Sequence, residues 1–287
     1  MSLIICGCYE RTVLGFELID TSLQPVFQHV CHSDTVKALA CMRKYFASGS
    51  TDEIIHVFDA QKRRELTSLY CHNDTITALC FDNSERFLVS GSKDGKLVLS
   101  RTSDWSSVAE LRLKASIVSI AIHCDSTICL VLTSDNRFSL IDMAGFKVIT
   151  SKKLSSNPLS CSFSSDGTKL IIATMADFLY VDIAGKKEIK QTCSGSAKEV
   201  LVVGDSVFLS HHCTISKYNL SDFNAEASVV VDFGQRVRGL ALVNNDQIAV
   251  IGSNGKLSVL DTSELKEVES TELDCRLTCL CSVNDSN

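Results

Sequence analysis

One stretch of this chain occurs twice, and it constrains the fold more than any other feature. Residues 48–59 read S-G-S-T-D-E-I-I-H-V-F-D, and residues 90–101 read S-G-S-K-D-G-K-L-V-L-S-R. Each copy is a run of small residues, a tight turn centred on an Asp, and a short apolar strand. Each follows a matching half, H-S-D-T-V-K-A-L-A from His32 and H-N-D-T-I-T-A-L-C from His72. The unit is therefore a His, a short turn, an alternating strand, a second strand ending Ser-Gly-Ser, an Asp turn and a third strand. A fourth strand, such as residues 65–70, follows before the next His. Four strands in about 40 residues is the sequence signature of one propeller blade.

The rest of the chain repeats the unit with decay. Third strands end at Asp20, Asp59, Arg101, Asp142, Asp182, Asn219 and Asp261, with successive gaps of 39, 42, 41, 40, 37 and 42 residues. Seven ends at near-equal spacing predict seven blades. The first unit lacks its first strand. The C-terminal segment R-L-T-C-L-C, residues 276–281, is an orphan that matches the first-strand pattern V-K-A-L-A. Pairing the two ends closes the ring and leaves no unpaired inner edge at the seam. The reading is an all-β, seven-bladed β-propeller in a single domain, residues 1–287, closed by the C-terminal strand on the N-terminal blade.

Composition agrees. Hydrophobic residues at 45% and charged residues at 22% support a sizeable core, and two prolines leave no Pro-rich linker. The longest apolar runs are strand-sized, so no membrane partner is expected. The N-terminus lacks the basic region of a secretory signal. With no such signal, the 14 cysteines are expected to be reduced and mostly packed in strands. A formal net charge of -6 argues against a general nucleic-acid binder, though not against a local basic patch.

The repeated residues resemble the WD40-repeat family across essentially the whole chain. The family's blades carry a Gly-His pair, a Ser or Thr in the second strand, an Asp in the turn and a Trp-Asp closing the third strand. His32, Ser48, Asp52 and Asp59 match in one blade, and His72, Ser90 and Asp94 in the next. Asp135, Asp142, Asp182 and Asp261 continue the pattern. Cys31 and Cys71 stand where the family has Gly; Phe58, Ser100, Ile141, Tyr218 and Leu260 stand where it has Trp. Within the family, G-C-Y-E at residues 7–10, Gly15-Phe16, the S-G-S-T-D-E-I-I-H-V-F-D stretch and H-N-D-T-I-T-A-L are similar to the p21-activated-kinase-interacting protein family, which includes a large-subunit ribosome-assembly factor.

That resemblance implies a non-catalytic scaffold in nuclear and nucleolar maturation of the large ribosomal subunit. Its alternative is binding, and restraint, of a p21-activated kinase, which would place the chain in the cytoplasm. Partners are expected to be proteins: pre-ribosomal assembly factors or such a kinase. Contact with rRNA is expected to be indirect or weak, and the chain to act as a monomer within larger complexes. The resemblance also implies a lysine-rich C-terminal extension. The sequence closes on N-D-S-N, so targeting through a partner, or drift from the nucleolar role, is expected.

No phosphate-binding G-x-x-x-x-G-K-[ST] loop, G-x-S-x-G elbow or H-E-x-x-H helix occurs, and neither catalysis nor a cofactor is expected. Recurrence of His32 and His72 at one place in the unit favours structural hydrogen bonds to Asp52 and Asp94 over catalysis. Cys6 and Cys8 alternate on one strand, as do Cys279 and Cys281 on its expected neighbour. Four sulfurs could meet there as a metal or redox-sensitive set, but plain packing is the expectation. Binding is expected at the channel mouth, where repeat alignment places Lys37, Thr77, Ser119, Ser160, Lys198, Arg238 and Thr278, with Arg236 beside them. Three cations and no anion in that ring suit an acidic peptide segment or RNA phosphates. A second basic set, Lys62, Arg63, Arg64, Lys186, Lys187 and Lys266, falls in turns on the opposite face and reads as solvated charge.

Overall fold

The computed structural model describes residues 2–20, 22–183, 187–192, 197–219 and 229–284. Among them, 28 β-strands form seven four-stranded antiparallel sheets, and there is no helix. The chain is an all-β, seven-bladed β-propeller. Six sheets are meanders of consecutive strands, as in the second blade: Val36–Cys41, Tyr45–Ser50, Ile55–Asp59 and Arg64–Leu69. The first blade is composite. Ser2–Cys8, Thr12–Ile19 and Ser22–Val30 are joined by Leu277–Asn284, which pairs antiparallel with Ser2–Cys8. The orphan strand thus docks where the repeat pattern requires it.

The strands gather into two compact units. One takes residues up to Leu79 and from Phe233 onward, which are the first, second and seventh blades with the start of the third. The other takes Cys80–Asp232, the remainder of the third blade and the fourth to sixth.

Within each unit the core follows from period-two alternation between faces. In the first, Ile4, Cys6 and Cys8 pack with Val243, Ala249, Ile251, Leu257 and Val259 of the seventh blade. Their neighbours Leu3 and Ile5 pack with Val36, Phe46 and Phe58 of the second. The strand is apolar at almost every position because both of its faces are covered. Phe46 stacks on Phe58 at 4.5 Å between centroids and on Phe27 at 5.5 Å. In the second unit, Leu130 and Leu132 pack with Leu170 and Ile172, while Ile171 and Ala173 turn the other way onto Val207 and Leu209. Each fully buried side chain of this size contributes about 1.5–3 kcal/mol. Outer strands are polar: Lys147, Lys152 and Lys153 are exposed along Lys147–Lys153, which discourages edge-to-edge pairing.

The repeated Ser-Gly-Ser serves packing between blades. A Cβ on Gly49 would lie 2.4 Å from Ile76 Cγ2, and one on Gly91 would lie 2.6 Å from Ile117 Cγ2. Both distances are too short for a side chain, so these glycines admit the first strand of the next blade. The flanking Ser48 pins its own blade. His32 is buried, with Nε2 2.8 Å from Ser48 Oγ and Nδ1 3.0 Å from Asp52 Oδ2. Asp52 also accepts hydrogen bonds from the Ser33 and Ile54 backbone N–H groups at 2.9 and 3.1 Å. His72 and Ser90 are likewise buried, and Asp94 accepts from Lys96 N at 2.8 Å. The third-strand carboxylates cap the turns that follow them. Asp59 accepts from Gln61 N and Lys62 N, Asp142 from Ala144 N and Gly145 N, and Asp261 from Ser263 N and Glu264 N. Asp135 accepts from the Thr133 hydroxyl at 2.6 Å, and the Asp182 side chain lies outside the described residues.

Candidate interaction site

The first strands of the blades carry a device that re-aims one residue. In six blades the pairing of first with second strand slips by one residue near its start. A β-bulge of this kind leaves one residue outside the ladder and points it off the sheet. In the first unit the bulged residues are Thr278, Lys37 and Arg238. In the second they are Val118, Leu159 and Lys198.

Two expected positions are thereby corrected. Ser119 and Ser160 are not the bulged residues; each sits one position later, back in the ladder opposite Leu132 and Ala173. Ser119 Oγ lies 3.5 Å from Cys161 Sγ, and Ser160 is buried. The residues that take their place, Val118 and Leu159, are apolar. Thr278 is at a bulge, but its hydroxyl lies 2.7 Å from Val36 O and 2.9 Å from Gly7 O. It stitches the first blade to the second and offers no hydroxyl to a ligand. Thr77 is half-buried in the third blade.

The first unit therefore presents Lys37 and Arg238 at bulges of the second and seventh blades, which flank the first blade on either side, with Arg236 two residues before Arg238. Lys37 and Arg236 are exposed and Arg238 is half-buried. Burial and the adjacent Arg236 charge both push the Arg238 guanidinium below its usual range. None of the three makes an ion pair among the described residues. Lys37, Arg236 and Arg238 are thus three cations of one unit in a chain of net charge -6.

In the second unit, Lys198 is followed by Glu199, a carboxyl that sequence reasoning did not single out. Glu199 occupies the ladder position that holds Ala38, Ser119, Ser160 and Gly239 in other blades. Burial raises its pKa to about 7, partly offset by Lys198. A carboxyl among small residues at repeat-equivalent positions was the available signal.

The turn cations are largely spent on local partners. Arg63 pairs with Glu17, Lys62 Nζ lies 3.8 Å from Asp59, and Lys266 pairs with Glu264. Arg64 is exposed; Lys186 and the Lys187 side chain lie outside the described residues. Paired charges have few counterions to release, which weighs against a nucleic-acid face there.

At the seam, the four sulfurs that could have met are divided between the two faces of the sheet. The slip between Gly7 and Cys8 pairs Gly7 with Cys279 and Ile5 with Cys281, so those two thiols share the face opposite Cys6 and Cys8. Cys281 and Cys279 pack toward the second blade with Cys41. Cys8 instead meets Cys275, which precedes the C-terminal strand, at 3.4 Å between sulfurs.

The fold is a seven-bladed propeller, and its pinning residues resemble those of WD40 repeats. A family model for the "WD domain, G-beta repeat" matches residues 63–99, which run from the outer strand of the second blade into the third strand of the next. Within that class the chain is similar to a "p21-activated protein kinase-interacting protein 1-like" of Gallus gallus, 26% identical over 96% of this chain and 79% of the relative. It is similar to "Protein MAK11" of Saccharomyces cerevisiae, 22% identical over 99% of this chain and 83% of the relative. It is also similar to "Shk1 kinase-binding protein 15" of Schizosaccharomyces pombe, 23% identical over 70% of this chain and 62% of the relative. The chain is thus similar to WD40-repeat proteins and, over most of its length, to the p21-activated kinase-interacting proteins.

Proposed function

We propose that this chain is a non-catalytic scaffold of large-subunit ribosome assembly, working as one propeller domain in the nucleus and nucleolus through protein–protein contacts. The observation that carries this reading is the extent of the similarity. The alignments to the Gallus gallus and Saccharomyces cerevisiae relatives run over nearly the whole chain, so the likeness extends well beyond one generic repeat. The uncompensated cations Lys37, Arg236 and Arg238 support an acidic segment of an assembly factor as the direct ligand, with any rRNA contact secondary. The Ser48–His32–Asp52 arrangement is buried inside its blade, away from any substrate, and a rigid repeat surface supports binding over turnover.

The printed names of two relatives favour a second reading, in which the same surface holds the regulatory region of a p21-activated kinase. Affinity purification of the tagged chain, with mass spectrometry of proteins and sequencing of RNA, separates the two. Pre-ribosomal particles support the first. A kinase without ribosomal proteins overturns it in favour of the second. Reversing Lys37, Arg236 and Arg238 to Glu together should lower recovery of the direct partner by at least about tenfold, since close charge pairs at interfaces are worth about 1.5 kcal/mol or more. Unchanged recovery removes the basic cluster from the binding surface.

A further inference from the structure

We propose that the propeller seam is a zinc site formed by Cys8, Glu10 and Cys275, which clamps the first strand of the chain to the last. One ligand atom from each of the three lies within 4.8 Å of the other two. Cys8 is the last residue of Ser2–Cys8 and is fully buried; Cys275 is half-buried and Glu10 exposed, so the site opens to solvent on its carboxylate side.

The local fold holds the three groups in place without a metal. Beyond the bulge, Tyr9 N donates to Arg276 O at 2.8 Å, which carries the ladder past the end of both strands. Arg276 N donates to Glu10 Oε2 at 3.1 Å, and its Nε lies 3.7 Å from Oε1. The guanidinium covers the Tyr9 ring at 3.9 Å from the centroid. These contacts fix C-Y-E and C-R side by side, although they are 265 or more positions apart in the chain.

The sulfur separation suits a shared metal ion. The two thiols are free and lie 3.4 Å apart. Zinc bonded at about 2.3 Å to each of two tetrahedral thiolates holds them roughly 3.7 Å apart, so little movement is required. A carboxylate oxygen at about 2.0–2.2 Å completes three ligands and leaves a fourth position for water. Binding takes Zn2+, two thiols and one carboxylate to a Zn(thiolate)2(carboxylate) centre and releases two protons. That centre carries one negative charge, and Arg276 carries the matching positive one.

The test uses the full chain, purified under a phosphine reductant, stripped of metal and titrated with Co2+ and then Zn2+. The expected result is one equivalent of Co2+, with a thiolate-to-cobalt charge-transfer band and tetrahedral d–d bands, all displaced by one equivalent of Zn2+. Cys8→Ser and Cys275→Ser should abolish the band. Glu10→Gln, an exposed change that spares the fold, should weaken Zn2+ binding by about tenfold or more while keeping the charge-transfer band. Cys124→Ser, outside the seam, should leave binding unchanged. Absence of an equimolar band overturns the site, as does a band that survives Cys275→Ser or Zn2+ affinity unaltered in Glu10→Gln.

Discussion

At the residue scale, two half-buried carboxyl groups behave in opposite ways. Asp52 is satisfied. Burial opposes its charge, but the N–H groups of Ser33 and Ile54 and the His32 ring outweigh it and hold the carboxyl below its usual range. Burial lowers His32, which remains neutral between Asp52 and Ser48. Asp52→Ala leaves a buried imidazole and two backbone donors without their acceptor. It should cost about 2–4 kcal/mol, read as a lower urea midpoint at unchanged m-value. Glu199 has the reverse character. Its folded-state pKa, about 7, lies above the ordinary 4.5. The folded state thus holds a proton that the unfolded chain releases at lower pH. Relative to acid conditions, this group costs stability progressively as pH rises from about 4.5 to about 7, and the penalty is full above that, up to about 3 kcal/mol. Glu199→Gln should therefore raise Tm at about pH 8 and change it little at about pH 4.5. A gain of equal size at both pH values would mean that the carboxylate is solvated.

At the element scale, the second strand of a blade depends on its glycine for what it admits next door. Gly91→Ala sets a methyl group 2.6 Å from Ile117 Cγ2. Overpacking at such a contact costs about 1–3 kcal/mol. Ile117→Ala removes that Cγ2, so the double variant should lose less than the sum of the two single variants; additive losses in the thermodynamic cycle would place the strain elsewhere. The strands themselves were readable in the sequence because turn chemistry is local. Asp59, Asp142 and Asp261 stand where a carboxylate accepts the next turn's N–H groups, and that need keeps them at regular spacing. The bulges were not readable. One extra residue reverses which face every following side chain takes, so Ser119, Ser160, Cys279 and Cys281 came out on the wrong side. No residue type marks such a slip: Thr, Lys, Val, Leu and Arg all occupy it.

At the scale of the whole molecule, the composite first blade joins sequence-distant parts. Leu277–Asn284 covers the edge of Ser2–Cys8 and contributes Leu277 and Leu280 to the packing against the seventh blade. Ending the chain after Asp274 bares that edge along with the apolar residues beneath it. The truncated chain should aggregate or lose its single cooperative transition in size-exclusion and thermal-melt measurements. A truncated chain that stayed monodisperse, with its melt unchanged, would show that the other blades hold without the seam.

The order of strands, their number and the closing role of the last one were decided by the sequence alone. Turn carboxylates, Ser-Gly-Ser runs and alternating apolar residues are requirements of neighbours a few positions apart. Tertiary structure alone decided which side chains face one another: the bulged Lys37 and Arg238, the displaced serines, and Cys8 against Cys275 rather than Cys279. Those outcomes turn on one-residue slips between strands, and a slip follows from how two sheets pack together, which no local pattern records.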